Sequence, residues 1–167
     1  MANYARVRTD LMHGTNNPAD LVSVKYQVSS TDTAIENGNV VVVGDLLIGE
    51  REVYQATKPA VDSALSTLAL IATPELIYDE TPRATFADFR NEAGEISRGY
   101  RLRSGDVFSA TMEAFGGRAD LASVGVGDVV EAQADTKLKI VATITSGSTK
   151  VGTVIAKEGN YVVVRIV

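Results

Sequence analysis

The sequence is poor in the residues that most often carry chemistry. Its 167 residues include no cysteine, no tryptophan and a single histidine. Without cysteine there is no disulfide framework, no thiolate nucleophile and no cysteine metal site. His13 cannot form a histidine-pair metal site, and it lies in "HGTNNPAD", a run of loop formers that makes a poor scaffold for catalysis. We therefore expect no catalytic residue, no metal and no cofactor, and interpret His13 as an interfacial or solvated side chain.

Long apolar runs and an excess of basic residues are also missing. No stretch approaches the roughly 18 consecutive apolar residues of a membrane-spanning helix, so no membrane partner is expected. The formal net charge is −5, whereas nucleic-acid binding needs clustered Lys and Arg to neutralise phosphates, so no nucleic-acid partner is expected. The first residues, "MANYARVRTDLMHG", lack the apolar core of a secretory signal, which predicts a protein assembled in a cytoplasm.

One basic cluster departs from this pattern. The stretch "SRGYRLRSG" places Arg98, Arg101 and Arg103 around Tyr100. These side chains could bind an anionic partner, with Tyr100 stacking on it. The alternative, which we favour, turns Tyr100 and Leu102 inward and pairs the arginines with surface acids.

What the sequence does contain is a series of short strand patterns separated by turn signals. In "LVSVKYQV", Val22, Val24, Tyr26 and Val28 alternate with other residues in the period of two of a half-buried strand. "ENGN" supplies an Asn-Gly turn typical of tight hairpins before "VVVVGDLL", and "REVYQA" predicts a third strand. The tail continues with "DVVEAQA", "KLKIVATI", "VGTVIAKEG" and "NYVVVRIV". Short strands at roughly 8–12-residue spacing predict an antiparallel β-sandwich or a small barrel-like body.

One short helix is predicted within this body, so the fold class is mainly β with one short helix (α+β). In "TPRATFADFRNEAG", Thr81 can cap the helix, Pro82 suits its first position and Gly94 can end it, which predicts a helix near residues 82–93. The preceding segment, residues 58–76, fits either a helix or a loop followed by a strand, and we favour the second interpretation.

Composition divides the chain into three parts. Residues 1–20 have no periodicity and predict an extended N-terminal arm. Residues 21–115 form the predicted β body. Residues 116–167 form a C-terminal β subdomain, which can also belong to the same domain, because the glycine-rich "AFGGRADLASVGVGD" marks the most plausible boundary.

Carboxylates are the remaining candidates for chemistry. In a strand, Glu50 and Glu52 would share one face about 7 Å apart, near the separation that glycoside hydrolases use. Such enzymes surround the acids with aromatic platforms, whereas aromatic residues make up 6% of this chain. We therefore favour exposed hairpin charges over a small hydrolase. Asp106 and Asp128 follow glycines and are interpreted as turn residues that bond backbone amides rather than as calcium ligands.

Two longer stretches carry a family resemblance: "ENGNVVVVGDLLIGEREVYQATKP" and "ATPELIYDETPRATFADFRNEAGEISRGYRLRSGDVFSAT". They resemble small structural proteins encoded near the major capsid protein in tailed-phage and prophage genomes. The tail, "KLKIVATITSGSTKVGTVIAKEGNYVVVRIV", is similar to the β-rich modules of capsid decoration (head auxiliary or cement) proteins. The resemblance implies a non-enzymatic bacteriophage protein on the capsid surface of the virion, which stabilises contacts between capsomers. It also implies the major capsid protein as partner and a homo-oligomer, with a trimer as one option.

The N-terminal arm supplies the predicted partner-contact residues, namely Tyr4, Arg6, Val7 and Arg8. A segment without its own periodicity suits a contact that becomes ordered on binding a neighbour. The alternative function is a carbohydrate- or host-surface-binding β module, or a fibre-attachment component of a virion. A cluster of surface aromatic residues would favour that alternative.

Overall fold

The chain folds almost entirely into strands and turns. The computed structural model describes residues 3–12, 18–75 and 88–167. Its strands are β1 (Leu21–Val28), β2 (Thr31–Asp32), β3 (Val40–Leu46), β4 (Val53–Thr57), β5 (Leu68–Ile71), β6 (Ser97–Arg101), β7 (Val107–Thr111), β8 (Phe115–Gly116), β9 (Val129–Glu131), β10 (Leu138–Val141), β11 (Lys150–Glu158) and β12 (Tyr161–Ile166). The helical segments with described bounds are three-residue 3₁₀ turns: Thr9–Leu11, Pro18–Asp20, Leu65–Thr67, Met112–Ala114 and Leu121–Ser123. Within these ranges no helix is long and apolar enough to cross a membrane. The predicted mainly β fold class is confirmed.

Five strands of the first sheet close into a barrel. β1 pairs with both β4 and β6, and the circle is completed by the pairs β4–β3, β3–β5 and β5–β6. β2 extends β1 through a tight turn in which Ser29 and Ser30 both have positive φ, 50° and 63°. Positive φ at both central residues is the hairpin geometry that matches strand twist. Of the two architectures predicted, the first sheet is a barrel, and a sandwich is not confirmed.

Alternation along the strands fills the barrel interior. Val22, Val24 and Tyr26 of β1 are buried, as predicted, whereas Val28 at the strand end is 45% exposed. The interior cluster is completed by Ile35, Val41, Ala56, Ala69 and Ile71. The period-two pattern of "LVSVKYQV" therefore identified the buried face of β1 correctly.

The second sheet is open and shares a core with the barrel wall. Its strands follow the order β7-β12-β11-β9-β10-β8. Val40 of β3 and Leu70 of β5 pack in the same buried cluster as Phe108, Val130 and Val164 of the second sheet. The chain changes sheet between β6 and β7, so β7 and β8 join the C-terminal strands, whereas the predicted body extends to residue 115. Buried residues of both sheets belong to one core. The division of the chain into a body and a C-terminal subdomain stays a prediction.

Strand directions differ from the predicted antiparallel arrangement. β1 runs parallel to β4, with Ser23 opposite Val53, and β8 runs parallel to β10. Residues 33–39 connect β2 to β3, and Ile35 among them packs in the barrel interior. As a result β3 pairs with β4 and β5 rather than with β1. A period-two pattern shows which face of a strand is buried, but it does not identify the neighbouring strand.

The helix predicted near residues 82–93 is not seen. Residues 82–87 lie outside the described part of the chain, and residues 89–93 are not helical. Asn91 instead forms a β-bridge with Ile35, in which each backbone N–H donates to the other carbonyl at 3.0 and 2.9 Å. The buried Asn91 side chain also donates to the Ile35 carbonyl at 3.0 Å. Local helix signals are weak, and these tertiary bonds override them.

The segment of residues 58–76 contains β5, which confirms the predicted loop followed by a strand.

The Asn37-Gly38 turn is present, but it does not close a hairpin between β1 and β3. Gly38 has a φ of 81°. The Asn37 side chain donates to the Thr73 carbonyl at 2.9 Å and accepts from the Thr73 N–H at 3.0 Å. A Cβ added to Gly38 would lie 2.7 Å from the Cβ of Ala114. The motif therefore docks its loop onto the end of β5 and onto the 3₁₀ turn Met112–Ala114, which connects β7 to β8.

A buried carboxylate holds the loop that follows β10. Glu131 is 1% exposed and accepts hydrogen bonds from the N–H and the hydroxyl of Thr145, both at 2.7 Å. The ammonium group of Lys139 lies 3.2 Å from the same carboxylate. Burial opposes ionisation of Glu131, but the hydrogen bonds from Thr145 and Lys139 together lower its pKa below the usual value. The ionised form is therefore the one that stabilises this loop.

Candidate functional site: the N-terminal arm and the β3–β4 hairpin

The described part of the N-terminal arm lies along the edge of the second sheet. Val7 forms a β-bridge with Ala110 of β7, and the N–H of Arg8 donates to the Ser109 carbonyl at 2.9 Å. Ala5 and Val7 are 1% and 9% exposed and belong to the shared core. The arm therefore covers the edge of β7, which would otherwise present unpaired backbone groups.

Two of the predicted contact residues stack with side chains of their own chain. The guanidinium of Arg90 lies 5.6 Å from the ring centroid of Tyr4. The guanidinium of Arg8 lies 5.7 Å from the ring centroid of Tyr161 and forms an ion pair with Asp10 at 2.6 Å. This ion pair lowers the pKa of Asp10, chiefly through the hydrogen bond from Arg8. Tyr4 and Arg8 are thus positioned by contacts within the chain.

Arg6 is half-buried and lies beside open space. Its backbone pairs with Thr111, whose N–H donates to the Arg6 carbonyl at 2.9 Å. Its Nε is buried and has no hydrogen-bond partner within the described ranges. Arg6 lines a cleft of about 400 Å³ with Thr73 and Glu75. Burial raises the pKa of Glu75, against the opposing effects of a hydrogen bond with Asn37 and the charge of Arg6. Arg6 therefore lines a cleft, whereas its neighbour Val7 packs in the core.

The β3–β4 hairpin presents exposed apolar side chains at its tip. Ile48 is fully exposed and Leu46 is 44% exposed. The N–H of Glu50 donates to the Leu47 carbonyl at 3.0 Å, and Gly49 has a φ of 87°. Positive φ at the third position of a four-residue turn is the mark of a type II turn and favours glycine. The turn therefore places Ile48 at its outer corner.

The charged triplet that follows is also exposed. Glu50, Arg51 and Glu52 lie in irregular chain, because β4 begins only at Val53. The prediction that this triplet lies within a strand is wrong, so strand geometry does not set the separation of the two carboxylates. Their exposure agrees with the favoured interpretation of a charged rim, and a hydrolase built on them stays the alternative that we disfavour.

The stretch "SRGYRLRSG" adopts the favoured orientation. Leu102 is buried, and Tyr100 is half-buried against the shared core. Arg103 forms an ion pair at 2.5 Å with Asp20, which is 4% exposed. Arg98 is exposed on β6. The inward packing of Tyr100 and Leu102 is confirmed, whereas the acid that pairs with Arg103 is buried rather than on the surface.

The two aspartates after glycines act in turns. The N–H of Arg103 donates to Asp106 at 3.1 Å, and the N–H of Gly125 donates to Asp128 at 3.0 Å. Both bonds confirm the prediction of turn residues that accept from backbone amides. Within residues 3–12, 18–75 and 88–167, no three His, Asp or Glu side chains are placed to hold a metal ion. His13 lies outside these ranges.

Sequence reasoning missed the role of the arm in the fold, although a signal was present. Ala5 and Val7 alternate with Arg6 and Arg8, which is the period of two of an edge strand. The exposure of Ile48 had no comparable signal, since it depends on where the turn lies relative to the barrel.

No protein-family model matches the chain, and a search of curated proteins finds none with significant similarity.

Proposed function

We propose that this chain is a non-enzymatic virion protein that binds the outer surface of a phage capsid and stabilises contacts between capsomers. Two lines of support lead to it. One is the resemblance of its sequence to capsid decoration proteins. The other, which carries the assignment of a contact surface, is the fully exposed Ile48 at the tip of the β3–β4 hairpin.

The hairpin tip has the composition of a small interface. Burying an exposed isoleucine side chain stabilises a complex by about 1.5–3 kcal/mol. Leu46 lies two residues away, and the exposed triplet Glu50, Arg51 and Glu52 provides a polar rim. An apolar centre within a charged rim is the usual arrangement of a protein–protein contact.

The hairpin replaces the arm as the main contact in this proposal. Val7 is in the core, so it is not available to a partner. Tyr4, Arg6 and Arg8 remain secondary contacts through their exposed parts. The partner is the major capsid protein, and a homo-oligomer on the capsid, such as a trimer, belongs to the same proposal.

The test uses expanded heads that lack this protein, assembled from the major capsid protein of the same genome. Purified wild-type chain should co-sediment with these heads and raise their temperature of disruption. Ile48→Asp should weaken binding by about tenfold or more, because burial of the isoleucine is lost. Ile96→Asp is the matched control, since Ile96 is 52% exposed and lies outside the hairpin; its binding should stay within about twofold of wild type.

Two results would contradict the proposal in different ways. If the wild-type chain neither binds the heads nor changes their stability, the capsid function is wrong. If it binds but Ile48→Asp and Ile96→Asp behave alike, the hairpin is not the contact. Urea unfolding of both variants checks that neither result reflects a loss of folding.

A further inference from the structure

A second cleft lies where the barrel, the arm and the second sheet meet. Its volume is about 290 Å³, close to the lower end of about 300 Å³ for small-molecule sites. The side chains that matter for its chemistry are Tyr4, Tyr26, Glu36, Asn39, Arg90 and Lys137. They come from the arm, from β1, from the segment before β3, from the segment before β6 and from the chain before β10. The size suits one or two sugar-sized rings.

The two cations of this cleft already face carboxylates. Arg90 donates two hydrogen bonds to Glu92, at 2.8 and 2.9 Å. The ammonium group of Lys137 lies 3.9 Å from the carboxylate of Glu36. An anionic ligand would therefore gain little net attraction and would have to compete with these partners. The cleft therefore presents hydrogen-bond donors next to hydrogen-bond acceptors, and this arrangement suits an uncharged ligand rich in hydroxyl groups.

Asn39 adds an unused acceptor. The residue is 5% exposed, and its buried Oδ1 has no hydrogen-bond partner in the described part of the chain. A buried acceptor without a donor is costly, so a ligand that supplies one gains affinity. Rotation of an asparagine amide about its Cβ–Cγ bond is soft, which allows the oxygen to turn toward a ligand hydroxyl.

Two tyrosines supply the apolar surface of the cleft. Tyr4 is half-buried, and Tyr26 is 8% exposed. Burial and the nearby charge of Asp135 raise the pKa of Tyr26, so its hydroxyl stays protonated at neutral pH. Aromatic rings with a polar tip suit the C–H faces and hydroxyl edges of a sugar.

We propose that this cleft binds a neutral saccharide residue. The sugar hydroxyls donate to Asn39 and Glu36 and accept from Lys137, while a ring face packs against Tyr4. This activity goes beyond capsid binding and does not depend on it, and it gives the carbohydrate-binding alternative a specific location. Glucose, galactose, mannose and N-acetylglucosamine are the first probes.

The experiment is an NMR titration of the ¹⁵N-labelled full chain with each of these four sugars. At least one sugar should cause saturable shifts of the Glu36 and Lys137 backbone amides and of the Asn39 side-chain amide. For a single sugar residue we expect a Kd on the order of 1 mM. N-acetylneuraminic acid and inorganic phosphate are titrated in parallel to represent anionic ligands.

Matched variants locate the site. Lys137→Gln and Tyr4→Ala should each weaken binding about fivefold, the effect of losing one hydrogen bond or ring contact. Lys25→Gln and Tyr161→Ala are the controls, since Lys25 is a half-buried lysine on β1 and Tyr161 is a half-buried tyrosine stacked with an arginine. They should change the Kd by less than about twofold.

Three results would overturn the proposal. In the first, no neutral sugar changes the NMR shifts at concentrations up to about 50 mM, well above the expected Kd. In the second, only the anions change the shifts. In the third, the cleft variants and their controls change the Kd equally. Head binding by the same samples is measured separately, so a failure of sugar binding is distinguishable from a failure of the capsid function.

Discussion

Replacing Val7 with aspartate should release the N-terminal arm from the second sheet and destabilise the isolated protein. The Val7 side chain is 9% exposed, and the residue bridges Ala110 of β7. An ionised carboxylate cannot be buried there without a partner, so the arm must detach. The burial of Val7 alone is worth about 1.5–3 kcal/mol. We therefore expect the free energy of unfolding to fall by about 2 kcal/mol, and Tm by about 4–8 °C for a chain of this length.

The assay is urea unfolding of the isolated chain, combined with amide hydrogen exchange. Val28→Asp is the control, because Val28 is a strand valine that is 45% exposed; its stability should stay within about 0.5 kcal/mol of wild type. The amides of Arg8 and Thr111 donate across the arm and β7, so they should be protected in wild type. In Val7→Asp they should exchange freely. If both variants are equally stable and these amides are unprotected in the wild-type protein, the arm orders only on a partner and the reasoning fails.

Two further substitutions test particular features of the fold. Glu131→Gln should lower the free energy of unfolding by about 1.5–3 kcal/mol at pH 7, whereas the exposed Glu158→Gln should change it little. Because the pKa of Glu131 is lowered from 4.5, its contribution is complete above that value and is lost as pH falls through the lower pKa of the folded state. The difference in the free energy of unfolding between wild type and Glu131→Gln should therefore become smaller below about pH 4. A difference that does not change with pH would refute the assignment of an ionised Glu131. Gly38→Ala combines a φ of 81° with a contact at 2.7 Å, whereas Gly147→Ala has a φ of 84° and no neighbour within 4 Å. Thermal unfolding should show a loss of about 1–2 kcal/mol for Gly147→Ala and clearly more for Gly38→Ala, and equal losses would contradict the close approach.

Local patterns predicted the strands well because burial alternates within each strand. Val22, Val24 and Tyr26 face the interior as their spacing indicates. The pairing of β1 with β4 was not predictable in the same way, since it depends on how residues 33–39 span the barrel end. Asn91 illustrates the same limit, because its bridge to a residue 56 positions earlier in the chain competes with a local helix signal.

The candidate sites divide along the same line. The backbone-bonding aspartates Asp106 and Asp128 follow from short motifs, so sequence reasoning found them. The exposure of Ile48 is a tertiary outcome, because this apolar residue follows two leucines in the sequence and yet lies at the outside of the turn. The cleft around Asn39 joins segments as far apart in the sequence as Tyr4 and Lys137, and no local spacing could indicate it.

The packing of the arm against its own chain alters the energetics of the proposed capsid contact. An arm that ordered only on the capsid would lose about 1–2 kcal/mol of backbone entropy per residue at the moment of binding, or roughly 6–12 kcal/mol for residues 3–8. In this chain that cost is met during folding, because Ala5 and Val7 are already buried. The hairpin turn is likewise formed before binding, since Gly49 and the Glu50–Leu47 hydrogen bond fix its shape. A preformed tip needs less favourable contact to reach a given affinity. In the proposed capsid contact, the exposed side chains of Leu46 and Ile48 would therefore add binding free energy without a further cost of ordering the hairpin.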